Sequence, residues 1–372
     1  MPVNEFQAAY KSTKHRVASM KSLRLRVFQD TIFYENSNTL QFESKPFFLP
    51  NIQTEQIYYQ KTTHTWVLKL SIGCVLKIYH LPDRASTRHR AEIRFLRLFS
   101  FMARVGASPH SIMPVGHTIF TARDIQPWVN ENVPEGQYMV LLAEQADSSL
   151  YQELTRGGIS PYNLKVLIFQ VVFTLMIIQE SFPSFRHNDL HLSNVLVQII
   201  DIVQMKTSAN VQETTHFVDV YKLSSSQTVC IDLDRSPRRA LLWDMHFSSI
   251  SQRDADRHGT THAVPAKWNE TRHGTSPYYD LHKFFDCLDR ALTTLHRPDV
   301  RELQALIDIV VPDRVKCLTK KMTRDDKQKL EIWKECITTP SEVLRQPYFS
   351  ELYKPLAEPM QLVNTYGPAH LA

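Results

Sequence analysis

Twelve residues, Arg186 to Val197, constrain this chain more than any other stretch. They read Arg-His-Asn-Asp-Leu-His-Leu-Ser-Asn-Val-Leu-Val. An apolar run, Leu164–Ile178, precedes them and has the length of a buried helix. An apolar run with β-branched residues, Val195–Val203, follows and predicts a strand. Between the two lies a short polar loop carrying His187, Asp189 and Asn194. Four residues separate Asp189 from Asn194, which gives the pattern H-x-D-x-x-x-x-N. A carboxylate and a side-chain amide are thus presented on one loop, between elements that the core holds on both sides.

A second strand of the same character, Val229–Asp234 (Val-Cys-Ile-Asp-Leu-Asp), lies downstream and ends in acids, with Asp232 thirty-eight positions after Asn194. This combination suits phosphoryl transfer. A carboxylate at 189 is placed to meet the hydroxyl that attacks a terminal phosphate, while an amide at 194 and an acid at 232 are placed to hold magnesium on the phosphates. The ring of His187 is free to pack inward and fix the loop. A single turn aspartate is ordinarily a solvated carboxylate; two in this order, each at the edge of an apolar strand, are not.

These motifs resemble the eukaryotic-type protein kinase superfamily, and most of all the divergent kinases of large DNA viruses. Those share the H-N-D-L-H-x-x-N loop and an acidic residue in place of the glycine of the metal motif. Two further stretches fit. Tyr278–Phe285 (Tyr-Tyr-Asp-Leu-His-Lys-Phe-Phe) resembles the helix whose buried aspartate, here Asp280, clamps the catalytic loop. Thr339–Phe349 resembles the segment that closes the larger kinase lobe. The resemblance covers roughly residues 60–350.

What it implies is an α+β, bilobal protein-kinase-like fold, with a small β-rich N-lobe and a larger, mostly helical C-lobe. The expected divisions are a basic N-terminal extension over 1–45, an N-lobe over 46–143, a C-lobe over 144–355 and a loose tail over 356–372. The implied activity is ATP- and Mg2+-dependent transfer of the γ-phosphate to protein hydroxyls, of the serine/threonine type. Asp189, Asn194 and His191 are the expected catalytic residues, and Asn194 and Asp232 the expected metal ligands.

In the first half, strand-like runs Thr65–Ile72 and Cys74–Tyr79 flank Gly73. Val75-Leu76-Lys77 resembles the strand whose lysine reaches the α- and β-phosphates. Lys69 in Val67-Leu68-Lys69 is a rival. A helical stretch, Arg84–Met102, follows, and Glu92 within it is the natural ion-pair partner of Lys77. Tyr138–Ala143 predicts a strand running into Glu144, Ala146 and Asp147, which resembles the hinge that receives adenine and ribose.

Several departures accompany the likeness. Glycine is scarce, 9 residues of 372, against a usual share of about 7%. Gly73 is the only glycine before Lys77, so no Gly-x-Gly-x-x-Gly loop covers the phosphates. Asn188 stands where regulated kinases carry the arginine that receives an activation-loop phosphate, so activity independent of loop phosphorylation is expected. His191 stands where serine/threonine kinases carry a lysine that contacts the γ-phosphate. The Asp-Leu-Asp of 232–234, lacking glycine, leads us to expect a metal loop that does not flip between two forms. The 198–228 region reads as an insertion with its own strand, Phe217–Leu223.

Two rival functions remain at this point. The H-x-D-L-H-x-x-N loop and the Asp232-x-Asp234 pattern also resemble small-molecule phosphotransferases of the aminoglycoside and choline type. A catalytically impaired scaffold would account for the missing glycines, but it has no physical need for Asp189, Asn194 and Asp232 together.

Composition excludes other classes. The net charge of +5 is mild and spread out, which gives no support to specific nucleic-acid binding. Five cysteines, with no Cys-x-x-Cys pair, indicate neither a zinc ribbon nor a disulfide framework. The run Val166–Ile178 reads as a core helix rather than a membrane span. No signal peptide is visible, so an intracellular setting is expected: host cytoplasm or nucleus if the chain is viral, or the virion. The expected partners are a nucleotide and a protein substrate, with no membrane. Arg-His-Gly-Thr occurs at 257–260 and 272–275; it also marks histidine phosphatases, but there it follows an apolar strand and here it sits in polar sequence.

Overall fold

The computed structural model describes residues 54–60, 64–71, 73–81, 87–209, 215–250, 279–295, 297, 300–312, 339–353 and 360–368. The basic N-terminal stretch, Tyr278 and both Arg-His-Gly-Thr copies lie outside them. The chain divides into two compact units. One runs to Ser100 and resumes from Ile112 to Gln145; the other comprises Phe101–Ser111 and everything from Ala146 onward.

The first unit is built on an antiparallel sheet of five strands: β1 (Thr54–Gln60), β2 (Thr65–Leu70), β3 (Cys74–Leu81), β4 (Pro114–Thr121) and β5 (Gln137–Glu144). Their order is β1-β2-β3-β5-β4. In β2 the residues alternate: Trp66, Leu68 and Leu70 are buried while Lys69 is exposed, the pattern of a strand with one covered face. In β3 and β5, Leu76, Ile78, Val140 and Leu142 are wholly buried, as are Leu141 and Ala143 between them, because both strands are interior to the sheet. Helix α1 (Thr87–Arg104) follows β3, and its Ile93 packs with Tyr79 and Met139. The short α2 (Ala122–Ile125) follows β4.

The second unit is organised on a single helix. After β6 (Ser148–Ser149) and α3 (Leu150–Thr155) comes α4 (Pro161–Ser181). Ser160 caps it by accepting the N–H of Asn163, and Pro161 occupies the first turn, where no N–H is required. The helix is longer than its apolar run suggested. By length and composition it meets the measure of a membrane span, yet it is buried from Asn163 to Ile178. A helix apolar on every side and covered by protein is a core.

The chain then enters the polar loop, makes a 3-10 turn at Leu192–Asn194, and runs into β7 (Val195–Ile199). Strand β10 (Arg238–Leu242) pairs antiparallel with β7, Leu242 opposite Val195, giving a sheet ordered β10-β7-β6. Between β7 and β10 lie α5 (Ile202–Ala209), β8 (His216–Lys222) and β9 (Thr228–Asp232). Helices α6 (Tyr279–Thr294), α7 (Arg301–Val310) and α8 (Pro340–Leu344) follow, the last opened by a Thr339–Glu342 capping box. Phe349, just beyond α8, packs edge-on against Phe169 of α4.

The segment expected to be a loose tail contains a strand, β11 (Met360–Tyr366). It pairs in parallel with β8, and with β9 the three make a separate sheet ordered β11-β8-β9. Polar side chains explain the docking. Asp219 of β8 accepts Asn364 Nδ2 at 2.6 Å and pairs with the fully buried Arg239 at 3.4 Å. Tyr366 packs on Tyr221, which stacks on His110.

Candidate active site

The loop between α4 and β7 is held from below by one carboxylate. Asp280, in the first turn of α6, is fully buried and accepts two consecutive backbone N–H groups, from His187 at 2.6 Å and from Asn188 at 2.8 Å. Burial pushes the Asp280 carboxyl up, against the lowering influence of His187 and these N–H donors. His187 is buried too, and its Nε2–H donates to the carbonyl of Trp243 at 2.8 Å. Burial holds its ring below the ordinary histidine range, so it is neutral.

Asn188 takes a left-handed conformation, φ 64°, which asparagine adopts more readily than most residues. The turn sends its side chain across to the segment after β10, where Nδ2 donates to Phe247 O at 2.7 Å and Ser249 Oγ at 3.0 Å. Arg186 and Ser249 exchange both backbone N–H···O bonds beside it, at 2.9 and 2.8 Å.

Asp189 follows, about a third exposed. Lys283 Nζ of α6 donates to its Oδ1 at 2.5 Å, and His191 Nε2 lies 3.7 Å from its Oδ2. Burial alone would raise the Asp189 carboxyl; the nearby His191 ring and the hydrogen-bonded charge of Lys283 outweigh it and hold the group well below the usual carboxylate range. The His191 Nδ1 accepts Ser193 N–H at 3.2 Å, so the neutral ring carries its proton on Nε2, facing Asp189. Asn194 Nδ2 donates to the backbone carbonyl of Asp189 at 2.9 Å. That bond fixes the amide.

The structure does not bring Asp232 to this group. Asp232 ends β9, in the sheet of β8 and β11, and is spent locally: Oδ2 meets His216 Nδ1 at 3.0 Å and Oδ1 accepts Asp234 N–H at 2.9 Å. Asp234 in turn accepts Phe217 N–H at 3.0 Å and pairs with Lys206 at 2.6 Å. Ligand atoms of His216, Asp232 and Asp234 do lie within 4.8 Å of one another, and the Lys206 ammonium already offsets the charge of Asp234. The acid that the β7–β10 pairing sets next to Asn194 in the backbone is Asp244. Strand β10, not β9, is the antiparallel partner of β7, and Trp243 N–H donates to Asn194 O at 3.0 Å, which sets the next residue at the loop. Asp244 is itself left-handed, φ 60°. The turn at 232–234, expected not to flip between two forms, is held by the Asp232–Asp234 and Asp234–Phe217 bonds.

In the first unit, Lys77 and Glu92 meet at 2.9 Å, both buried. Tyr79, two residues along the same face of β3, hydrogen-bonds Glu92 through its hydroxyl and lies under the Lys77 ammonium at 4.9 Å. Lys69, the rival, opposes Val75 on the same face of the sheet but is exposed. Glu144 is fully buried, and its Oε1 accepts Met113 N–H at 2.8 Å, so this carboxylate serves the sheet. Ala146 is half-buried at the start of the second unit. Asp147 is exposed; its Oδ2 accepts Ile199 N–H at 2.6 Å, closing the end of β7.

Asp244 and Lys283 were missed in the sequence. Asp244 had a signal, an apolar strand Ala240–Trp243 ending in an acid, the same signal that singled out Asp232. Lys283 had none beyond its place three residues after Asp280.

No family model matches the chain. Two proteins of Acanthamoeba polyphaga mimivirus, both named "putative serine/threonine-protein kinase", are similar to it. One is 29% identical over 236 residues, 55% of this chain and 46% of that protein. The other is 48% identical over 40 residues, 11% of this chain and 10% of its own length. The chain thus spans less than half the length of either relative. The chain is similar, at the level of the family, to the divergent protein kinases of a large DNA virus, as its loop and helix motifs led one to expect.

Proposed function

We propose that the chain is an ATP- and magnesium-dependent protein kinase that phosphorylates serine or threonine hydroxyls. The observation that carries this reading is the grouping of Asp189, Asn194 and Asp244 where β7 and β10 begin and end together. It is supported by the Asp280 clamp beneath the loop, the Lys77–Glu92 pair in the first unit, and the similarity to viral kinases.

In this reading Lys77, oriented by Glu92 and Tyr79, binds the α- and β-phosphates of ATP. The Asn194 amide oxygen and the Asp244 carboxylate are hard oxygen donors of the kind magnesium prefers, and they would hold the ion. Magnesium, when bound, supplies charge neutralisation on the phosphates. Asp189 accepts a hydrogen bond from the substrate hydroxyl. As the oxygen–phosphorus bond forms, the bond from the γ-phosphorus to the bridging oxygen breaks and ADP departs with that electron pair. The hydroxyl proton passes to Asp189. Lys283 and His191 keep Asp189 ionised until then. This is catalysis by positioning and electrostatics, which needs little covalent chemistry from the protein.

The test is purified protein with labelled ATP and magnesium, offered casein, itself and small alcohols, beside Asp189→Asn. Transfer to protein by the wild type and its loss in the variant, by about 10²–10⁴-fold, is expected for an acid–base group. Transfer to small alcohols alone would assign the chain to the small-molecule phosphotransferases instead. Nucleotide binding without transfer to any acceptor would leave only a scaffold.

A further inference from the structure

The loop has a histidine at 191 where the resemblance calls for a cation against the γ-phosphate. The ring cannot fill that place as a fixed charge. Its Nδ1 is engaged by Ser193 N–H and its Nε2 faces Asp189. A cation is nevertheless present, delivered from another element. Lys283 stands three residues after Asp280, hence on the same face of α6, where it reaches the loop that Asp280 clamps. Its Nζ sits 2.5 Å from Asp189 Oδ1, with the side chain 19% exposed. An ammonium has three N–H donors. Among the described residues Asp189 is the one hydrogen-bond partner Lys283 has, which leaves two donors to offer.

We propose that Lys283 is the cation that meets the transferred phosphoryl group in this protein, supplied by helix α6 in place of the residue at 191. The proposal rests on the phosphoryl-transfer reading above. Lys283 bridges Asp189 and a γ-phosphoryl oxygen and stays protonated throughout. It balances charge that builds on the phosphoryl oxygens, an effect that helps transfer more than it helps ground-state binding of ATP.

The experiment compares the full chain with Lys283→Gln and with the double variant Lys283→Gln/His191→Lys, which returns a cation to the loop. Steady-state transfer to protein, the KM for ATP and thermal melting are measured on each. Expected for Lys283→Gln is a fall in kcat of about 10²-fold, with KM for ATP within about twofold and the melting temperature little changed. The double variant recovers at least about tenfold of that loss. A Lys283→Gln kcat close to wild type, or no recovery in the double variant, overturns the proposal. A second measurement needs no substitution. Acetylation of Lys283 in the wild type, read by mass spectrometry, should fall several-fold when magnesium, ADP and aluminium fluoride are added as a mimic of the phosphoryl group in flight. Unchanged acetylation also overturns the proposal. If the wild type transfers no phosphate at all, the phosphoryl-transfer reading fails first and takes this one with it. If it transfers and Lys283 proves indifferent, only this one fails.

Discussion

The Asp280 carboxylate accepts the backbone N–H of His187 at 2.6 Å across 93 positions of sequence, with the Asn188 N–H on its other oxygen. Two buried amide donors therefore depend on one side chain. Asp280→Ala leaves both unsatisfied and should lower the unfolding free energy by roughly 2–5 kcal/mol. Denaturant unfolding gives the magnitude. Faster hydrogen exchange at His187 and Asn188, ahead of the rest of the unit, gives the location. Unchanged exchange at those two amides would refute the clamp.

Asn188 ties the loop directly to Phe247 and Ser249, where a regulated kinase would use an arginine and a phosphate. The segment is already held without any modification, so phosphatase treatment should leave transfer unchanged. Asn188→Gly keeps the left-handed turn but loses two side-chain bonds, at a cost of about 1–3 kcal/mol. Asn188→Val loses the bonds and strains the backbone as well, and should be the less stable of the two. Melting curves and activity of both variants, before and after phosphatase, check the order.

Asp244 and Asp232 make opposite predictions. If Asp244 holds magnesium, Asp244→Asn should depress transfer by about 10³-fold and raise the magnesium concentration required. Asp232→Asn breaks a contact with His216 in a different sheet, so it should act on stability and leave transfer within about threefold. A magnesium titration of both variants settles the assignment, and the reverse ranking would return the metal to Asp232.

His282 is buried beside Asp280 on α6, and burial lowers its pKa from 6.5 to about 4. The folded state favours the neutral ring, so the stability it contributes is fully present above about pH 6.5 and is lost as pH falls toward 4. The loss is at most roughly 3 kcal/mol by proton linkage. Melting temperature against pH should drop across that window, and His282→Gln should remove part of the drop. A variant that keeps the whole pH dependence would exclude this ring as its source.

What could be read from the sequence was local. Asp189 and Asn194 lie on one loop, so their spacing shows that they are neighbours; that the Asn194 amide bonds the Asp189 carbonyl comes from the structure. Lys77 and Glu92 were legible because a strand and the helix after it are close in sequence, and Lys69 fell away once the alternation of β2 turned it to solvent. Asp244 was hidden by α5, β8 and β9, which interrupt the β7–β10 pair. Two apolar strands end in acids there, and only the register of Val195 against Leu242 says which one returns to the loop. Lys283 is recognised by what its ammonium touches, a relation no spacing encodes. Glu144 reads as a hinge residue because a strand ends there, and what the sequence does not show is that its side chain accepts the Met113 N–H.

The parallel pairing of β11 with β8 has its own consequence. Asn364 and Asp219 are 145 positions apart, and closing so long a loop costs little extra free energy but takes time. Until β11 arrives, β8 is an open edge, able to pair with a strand from another molecule. Shortening the chain before Met360 would make that edge permanent, and self-association would then compete with completion of the sheet.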